Sequence, residues 1–404
     1  MRMPRRRWVR AVLALTAVSL AASCVACSPV YVVKAGIAEA RILRARRPIP
    51  EVVADTTTDA DTRGKLAYVL EARRFAAEEL SIDVGDSYTQ YTKLDRDTLA
   101  LVVSAAPKDQ IAPVTWWFPI VGRVPYRGFF SEEDALDAAA DLQAEGYDTY
   151  VRPTAAFSTL GWFNDPILST ALATDDVEVV ATVLHELSHQ HLFIPGQVGF
   201  NESFATFVGR VAAIQFFCTR QGGGPDSVKC IRAQERWRDY QRFSVFLDEF
   251  IDDLETVYFD PNLTLEQKIQ RRETVFAEGL ARFDTDLAPT FEAVTFAGFR
   301  NDPLNNATLL GRVFYYNRLP DFDALLAQPA RQGAGLGVPE VREGGIGGAV
   351  DGPLVDPEGE RVADEEQLHR SSVLACDAVG DLFVAEHAGP AGDRRPSGGR
   401  PGRH

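Results

Sequence analysis

His185 and His189 stand four residues apart in the segment Asp175–Phe193, with Glu186 directly after the first of them. This is the stretch in which the chain has the least freedom. Apolar residues recur at Val177, Val180, Ala181, Leu184 and Leu187, a spacing that predicts an amphipathic helix with one buried stripe. Asp175 and Glu178 have capping-box spacing, and acidic residues fill the first turn, where they favour the helix dipole. Side chains four apart on a helix project from one face, about one turn from each other. Two imidazoles placed this way can share one tetrahedral metal ion, and the H-E-x-x-H pattern points to zinc. Glu186 is displaced around the helix and is suited to act on a metal-activated water as general base instead of ligating. His191 lies about 200° round the helix from His189 and is left out of the ligand set.

Pro195-Gly196 ends this helix and permits a turn. A second helical pattern follows at Phe204, Ala205, Val208, Val211 and Ala212, with Asn201 as its expected N-cap. Glu202 then falls in the first turn, aimed back towards the histidines. It completes a His185–His189–Glu202 set with the fourth position open, as a catalytic zinc requires. A structural zinc closes its shell with a fourth side chain, commonly Cys, and none is nearby in the sequence. One Zn2+ per chain is the expectation. The plainer alternative makes both histidines surface residues, Glu186 a solvated acid and Glu202 a residue favoured by the helix dipole.

The rest of the chain reads as α+β, predominantly helical, with a small β region ahead of the zinc helix. Tyr31–Arg47 and Asp61–Leu80 have helical spacing. Thr98–Ala106 is a short apolar run, and Val114–Phe130 is aromatic and β-branched with Pro and Gly punctuation; both are strand-like. A Ser131 cap and acidic first turn start a helix that ends near Gly146 and feeds a strand at Asp148–Pro153. Helix candidates after Asp175–Phe193 are Asn201–Arg220, Ser227–Asp252, Leu265–Ala281 and Asn305–Tyr316. Beyond Arg331 the sequence is Gly- and Pro-rich with no usable period, and Arg331–His404 reads as a largely disordered tail.

The net charge of -15 argues against a nucleic-acid partner, because phosphate binding needs clustered Lys and Arg. Basic residues gather instead at the ends. Arginines within Met1–Arg10 precede an apolar run, Ala11–Ala22, too short to span a bilayer comfortably. Small residues with Cys24 and Cys27 follow, the layout of an export signal over residues 1–26. An ordinary cleaved signal with incidental cysteines is the alternative. Of the remaining cysteines, Cys218 and Cys230 flank a Gly-rich turn; a local bridge and two free buried thiols both fit that spacing. Cys376 lies in the tail.

Several segments carry a resemblance to a known family. The His185–Gln190 and Phe200–Gly209 stretches resemble the gluzincin arrangement, in which H-E-x-x-H is followed by a helix carrying N-E-x-x-A. More closely, the chain resembles a bacterial zinc aminopeptidase family with lipoprotein-like signals, through Cys27–Ile49, Phe118–Phe130, Ala156–Ser169, the histidine block and Asn305–Phe322. The resemblance runs from about Cys27 to Leu326. It implies a zincin-like catalytic domain over residues 27–330 and peptide-bond hydrolysis, with an aminopeptidase as the expected class. It also implies a phenol at Tyr315 that stabilises the oxyanion, and Cys27 as the lipidated residue. A lipid anchor in the bacterial envelope follows, with Ser28 pointing to the outer membrane facing the periplasm. Tyr126 and Trp116–Trp117 are candidates to line a cleft or to pack in the core, and Ser158–Pro166 to form its edge. One departure stands out: twelve residues separate His189 from Glu202, fewer than in the larger gluzincins. Rival readings keep the zinc but make the chain a peptide-binding or envelope-assembly factor, or a hydrolase of non-peptide amides.

Overall fold

The computed structural model describes residues 37, 40–96, 98–118, 122–154 and 166–326. Over these residues the fold is mixed α+β and mostly helical, as the sequence predicts. It begins with β1 (Arg47–Pro48), α1 (Ile49–Ala54), α2 (Ala60–Glu78) and β2 (Gln90–Thr92). The helix expected over Tyr31–Arg47 is helical at 40–44 but stops short of Arg47. Arg47 and Pro48 pair instead with Tyr91 and Gln90, so β1 and β2 are joined antiparallel.

The β region continues through β3 (Ala100–Ala106), β4 (Trp116–Phe118), β5 (Gly122–Val124) and β6 (Arg127–Phe129). It is followed by α3 (Glu132–Ala144), β7 (Asp148–Thr154) and the short β8 (Ile167–Leu168). Ser131 caps α3 by accepting a hydrogen bond from the Asp134 amide, as its position in the sequence implies. Three sheets result, in the orders β1-β2-β8, β6-β3-β7 and β4-β5. In the second sheet Val103 lies opposite Val151 and Val102 opposite Arg152. Since successive residues point to opposite faces, this register sorts the side chains cleanly. Leu101, Val103, Phe129 and Val151 pack under Ala135, Ala139 and Leu142 of α3. Asp148, Tyr150 and Arg152 are on the other face, turned towards the helical layer.

That layer consists of α4 (Asp176–His191), α5 (Val198–Thr219), α6 (Val228–Tyr258) and α7 (Leu265–Arg282). Three shorter helices close it, α8 (Ala297–Asn301), α9 (Asn306–Tyr316) and α10 (Leu319–Leu326). Leu66 and Val69 of α2, Val180, Leu184 and Leu187 of α4, and Phe204 and Phe207 of α5 form one apolar core. Each such side chain, fully buried, stabilises the fold by roughly 1.5–3 kcal/mol. A second core of Phe243, Phe250, Phe276, Leu310 and Phe314 joins α6, α7 and α9. Cys218 and Cys230 form a disulfide that ties the end of α5 to the first turn of α6. Of the two alternatives that the spacing leaves open, the structure shows the bridge.

Among the described residues no helix is long and apolar enough to cross a membrane. The export signal with Cys24 and Cys27, the tail Arg331–His404 with Cys376, and most of the expected cleft edge Ser158–Pro166 lie outside the described residues.

Candidate metal centre

Local chemistry starts the ligand helix where the sequence places it. Asp175 caps α4 by accepting hydrogen bonds from the amides of Val177 and Glu178. The reciprocal half of a capping box does not form. Glu178 turns away to a bidentate ion pair with Arg210 of α5, at 2.7 and 2.6 Å. Arg236 of α6 reaches both Asp175 and Glu178, the latter at 3.3 Å, so three helices are tied at the foot of α4. Val177, Val180, Leu184 and Leu187 fill the buried stripe as the period requires.

The connection to α5 differs from expectation. Asn201 is not the N-cap: α5 starts at Val198, with Gln197 in the cap position, and Glu202 falls in the second turn. The Asn201 side chain instead holds the turn after Pro195-Gly196. Its Oδ1 accepts from the Ile194 amide at 2.9 Å, and its Nδ2 donates to the Ile194 carbonyl at 2.8 Å. A short polar side chain can serve as cap or latch, and tertiary packing selects the latch here. The extra turn of helix still aims Glu202 at the histidines.

The three expected ligands converge. His185 Nε2 lies 3.3 Å from Glu202 Oε2, and His189 Nε2 lies 3.8 Å from the same oxygen. One ligand atom from each residue falls within 4.8 Å of the other two. Donors about 2.0–2.1 Å from a tetrahedral ion stand roughly 3.3 Å apart, so small side-chain adjustments bring this set to ligating distance. Two imidazoles and one carboxylate can therefore hold one metal ion, and the donor types suit zinc. Burial pushes the His189 imidazole down to about 4, towards the neutral form that a metal ion would need. Burial also lowers His185, but the Glu202 hydrogen bond and the Glu186 and Glu202 charges leave it above its ordinary value. Burial raises the Glu202 carboxyl, yet the hydrogen bond from His185 and the nearby positive groups outweigh it and hold Glu202 ionised. His189 Nδ1 is buried with no hydrogen-bond partner among the described residues. His191 stays outside the group of ligand side chains.

One glycine makes the convergence feasible. Gly209 of α5 faces α4, where a Cβ would meet the Ala181 carbonyl oxygen at 2.6 Å and the His185 amide nitrogen at 3.0 Å. The helices approach that closely only because the side chain is missing. Gly209→Val should therefore force α4 and α5 apart and cost about 1–3 kcal/mol. Thermal unfolding checks the stability loss, and a metal titration should show at least tenfold weaker binding; unchanged metal affinity would mean the close contact is irrelevant to the site.

Tyr315, the phenol implied by the resemblance, reaches the centre from α9. Its ring stacks near that of His185, with centroids 6.2 Å apart. The negative charge of Glu202, reinforced by burial, pushes its hydroxyl well above the ordinary tyrosine value. Tyr126, between β5 and β6, is also close enough to feel Glu202 and Glu186; burial first, and those charges next, raise it to about 12. Glu186 borders a small pocket lined by Tyr88, Pro166, Ile167, Leu168, Thr182 and Val183. Trp116 and Trp117 are in the β4–β5 ribbon, and Trp117 is 54% exposed there.

Residues 30–334 match the family described as "Putative aminopeptidase". The chain belongs to this family. Membership supports a peptidase-like function and peptides as the substrate class. No curated protein and no solved structure matches the chain.

In this aminopeptidase-family chain, three residues at or under the site went unmarked in the sequence. Gly209 was visible as a glycine inside a helical pattern, which signals a close packing partner. Arg210 had no local signal, because its partners Glu178 and Tyr240 come from other helices. Arg152 was legible only as a charged residue inside a short strand, "DTYVRPT". Its placement depends on which face of the sheet meets the helices.

Proposed function

We propose that this chain is a zinc-dependent peptidase with a zincin-like catalytic domain over residues 27–330, most closely an aminopeptidase. The observation that carries the reading is the convergence of His185, His189 and Glu202, with Glu186 on the same helix as the two histidines. These three residues would hold the zinc, which would supply a Lewis acid for the scissile carbonyl. Glu186 takes the proton of the attacking water and delivers it to the leaving amine. The Tyr315 hydroxyl keeps its proton, given its raised pKa, and donates a hydrogen bond to the developing oxyanion. Tyr126 stands near the same carboxylates as a second phenol lining the cleft.

The reading extends to location. Cys27 is the residue we assign to lipidation, placing the enzyme in the bacterial envelope, anchored to the outer membrane and facing the periplasm. The Cys218–Cys230 disulfide supports an oxidising compartment. The full chain, purified without added metal, should contain about one zinc per molecule. It should cleave unblocked peptides and stop when treated with a chelator, and N-acetylated peptides should resist it. Folded protein lacking stoichiometric metal overturns the proposal. Peptide binding that ignores chelation, without turnover, turns it into the binding-factor reading.

A further inference from the structure

Arg152 brings a positive charge to the site that the peptidase chemistry leaves unused. The route by which it gets there is set by two elements running side by side. At one end, the Asp148 carboxylate accepts a hydrogen bond from the Asn306 amide, and the Asn305 side chain donates to the Thr149 carbonyl. One step on, Tyr150 packs so tightly on α9 that a Cβ at Gly311 would meet its ring at 3.2 Å. Arg152 is the next residue on that face of β7, and Tyr315 is one turn further along α9. Tyr315 in turn stacks on His185. The strand and the helix thus deliver Arg152 beside Tyr315 and the ligand cluster.

The electrostatics agree with that path. Arg152 is near enough for its charge to act on Glu202, Tyr126 and Tyr315. Its Nε is buried and has no hydrogen-bond partner among the described residues. A site of this kind favours an anionic group on the substrate. A guanidinium beside a reacting centre recognises a carboxylate with paired, charge-assisted hydrogen bonds.

We propose that Arg152 anchors a carboxylate of the substrate and so directs this site to short peptides, in which the scissile bond and the free C-terminus are both within reach. The proposal rests on the peptidase reading for its substrate class, but the anchor is a binding property and can be measured without turnover. The source of the carboxylate is the terminus or an acidic side chain, and the test separates them.

Calorimetry on the full chain compares trialanine with its C-terminal amide. The acid should bind on the order of tenfold to a hundredfold more tightly, the range expected of hydrogen bonds to a charged group. Arg152→Gln, checked for its native circular dichroism, should bring the two affinities together, and Arg152→Lys should restore part of the preference. The preference should survive zinc removal by a chelator, which excludes the metal as the carboxylate's partner. A C-amidated peptide carrying one Asp reports on the side chain as source: binding equal to trialanine assigns the anchor to side-chain carboxylates. Equal affinity for acid and amide in the wild type overturns the anchor, as does a preference that persists in Arg152→Gln or vanishes with the metal. If the preference holds while no peptide is cleaved, the peptidase reading fails and the anchor stands. If cleavage occurs with no preference, the reverse is true.

Discussion

Glu186→Gln should lower kcat for peptide hydrolysis by roughly 10²–10⁴-fold, the span that a positioned general base contributes. The substitution is nearly isosteric and removes only the ability to take and return a proton. Glu186 is displaced from the face of α4 that carries His185 and His189, so the three ligands stay in place. Metal analysis should therefore still find about one zinc per chain in the variant. This pairing of results is what discriminates. Loss of activity together with loss of metal would recast Glu186 as part of the binding site, and full activity would remove it from the mechanism. Because kcat and kcat/KM should fall together, steady-state kinetics also separates this outcome from a weakened grip on the substrate.

A second large effect is expected well below the metal. Arg210→Met removes the guanidinium that pairs with both Glu178 oxygens and donates to the Tyr240 hydroxyl. Burial raises the Glu178 carboxyl, and the Arg210 charge and hydrogen bonds are the main forces that bring it below its ordinary value. Breaking a buried pair from one side costs about 3–5 kcal/mol, because it leaves an uncompensated charge. The low end applies here, since Arg236 stays 3.3 Å from Glu178. Denaturant unfolding measures the loss. Replacing both partners, as Glu178→Leu with Arg210→Met, should recover a good part of it, because no charge is then stranded. A single variant as stable as the wild type would show that the three-helix clamp is ornamental.

The parts of the site that were legible in the sequence are those that local physics governs. His185, Glu186 and His189 follow from one helical period and one cap, and Asp175 performs that cap as expected. Glu202 was readable because only a turn separates its helix from theirs. Asn201 was misread for an instructive reason: the side chain that suits a cap also suits a latch across a turn, and sequence does not distinguish them. Glu178 likewise has capping-box spacing, but a cation from another helix outcompetes the local amide. Long-range placement is where reading stops. Nothing around Arg152 states that β7 turns that face to α9, and the pairing of Cys218 with Cys230 could not be chosen from spacing alone. In the fold, the longer helices from Asp61 onwards were recovered, α6 running six residues past its expected end; the short α1, α8 and α10 were not expected, and the end of the first expected helix is set by a strand pairing that involves Gln90 and Tyr91.

The proximity of the ligands along the chain bears on how the site is assembled. His185 and Glu202 are 17 positions apart, while Tyr315 lies 113 positions beyond Glu202. By loop-closure entropy, gathering the ligands costs roughly 1.7 kcal/mol less than recruiting the phenol. Contacts of low sequence separation also tend to form sooner. A nascent chain that has made only α4 and α5 thus already holds a complete set of ligand donors. β7 precedes α4 in the chain and is already made by then, whereas α9 with Tyr315 arrives later. On the metallopeptidase reading proposed above, capture of an ion and competence for chemistry would be separate stages of maturation, and a half-built molecule could hold the one without the other.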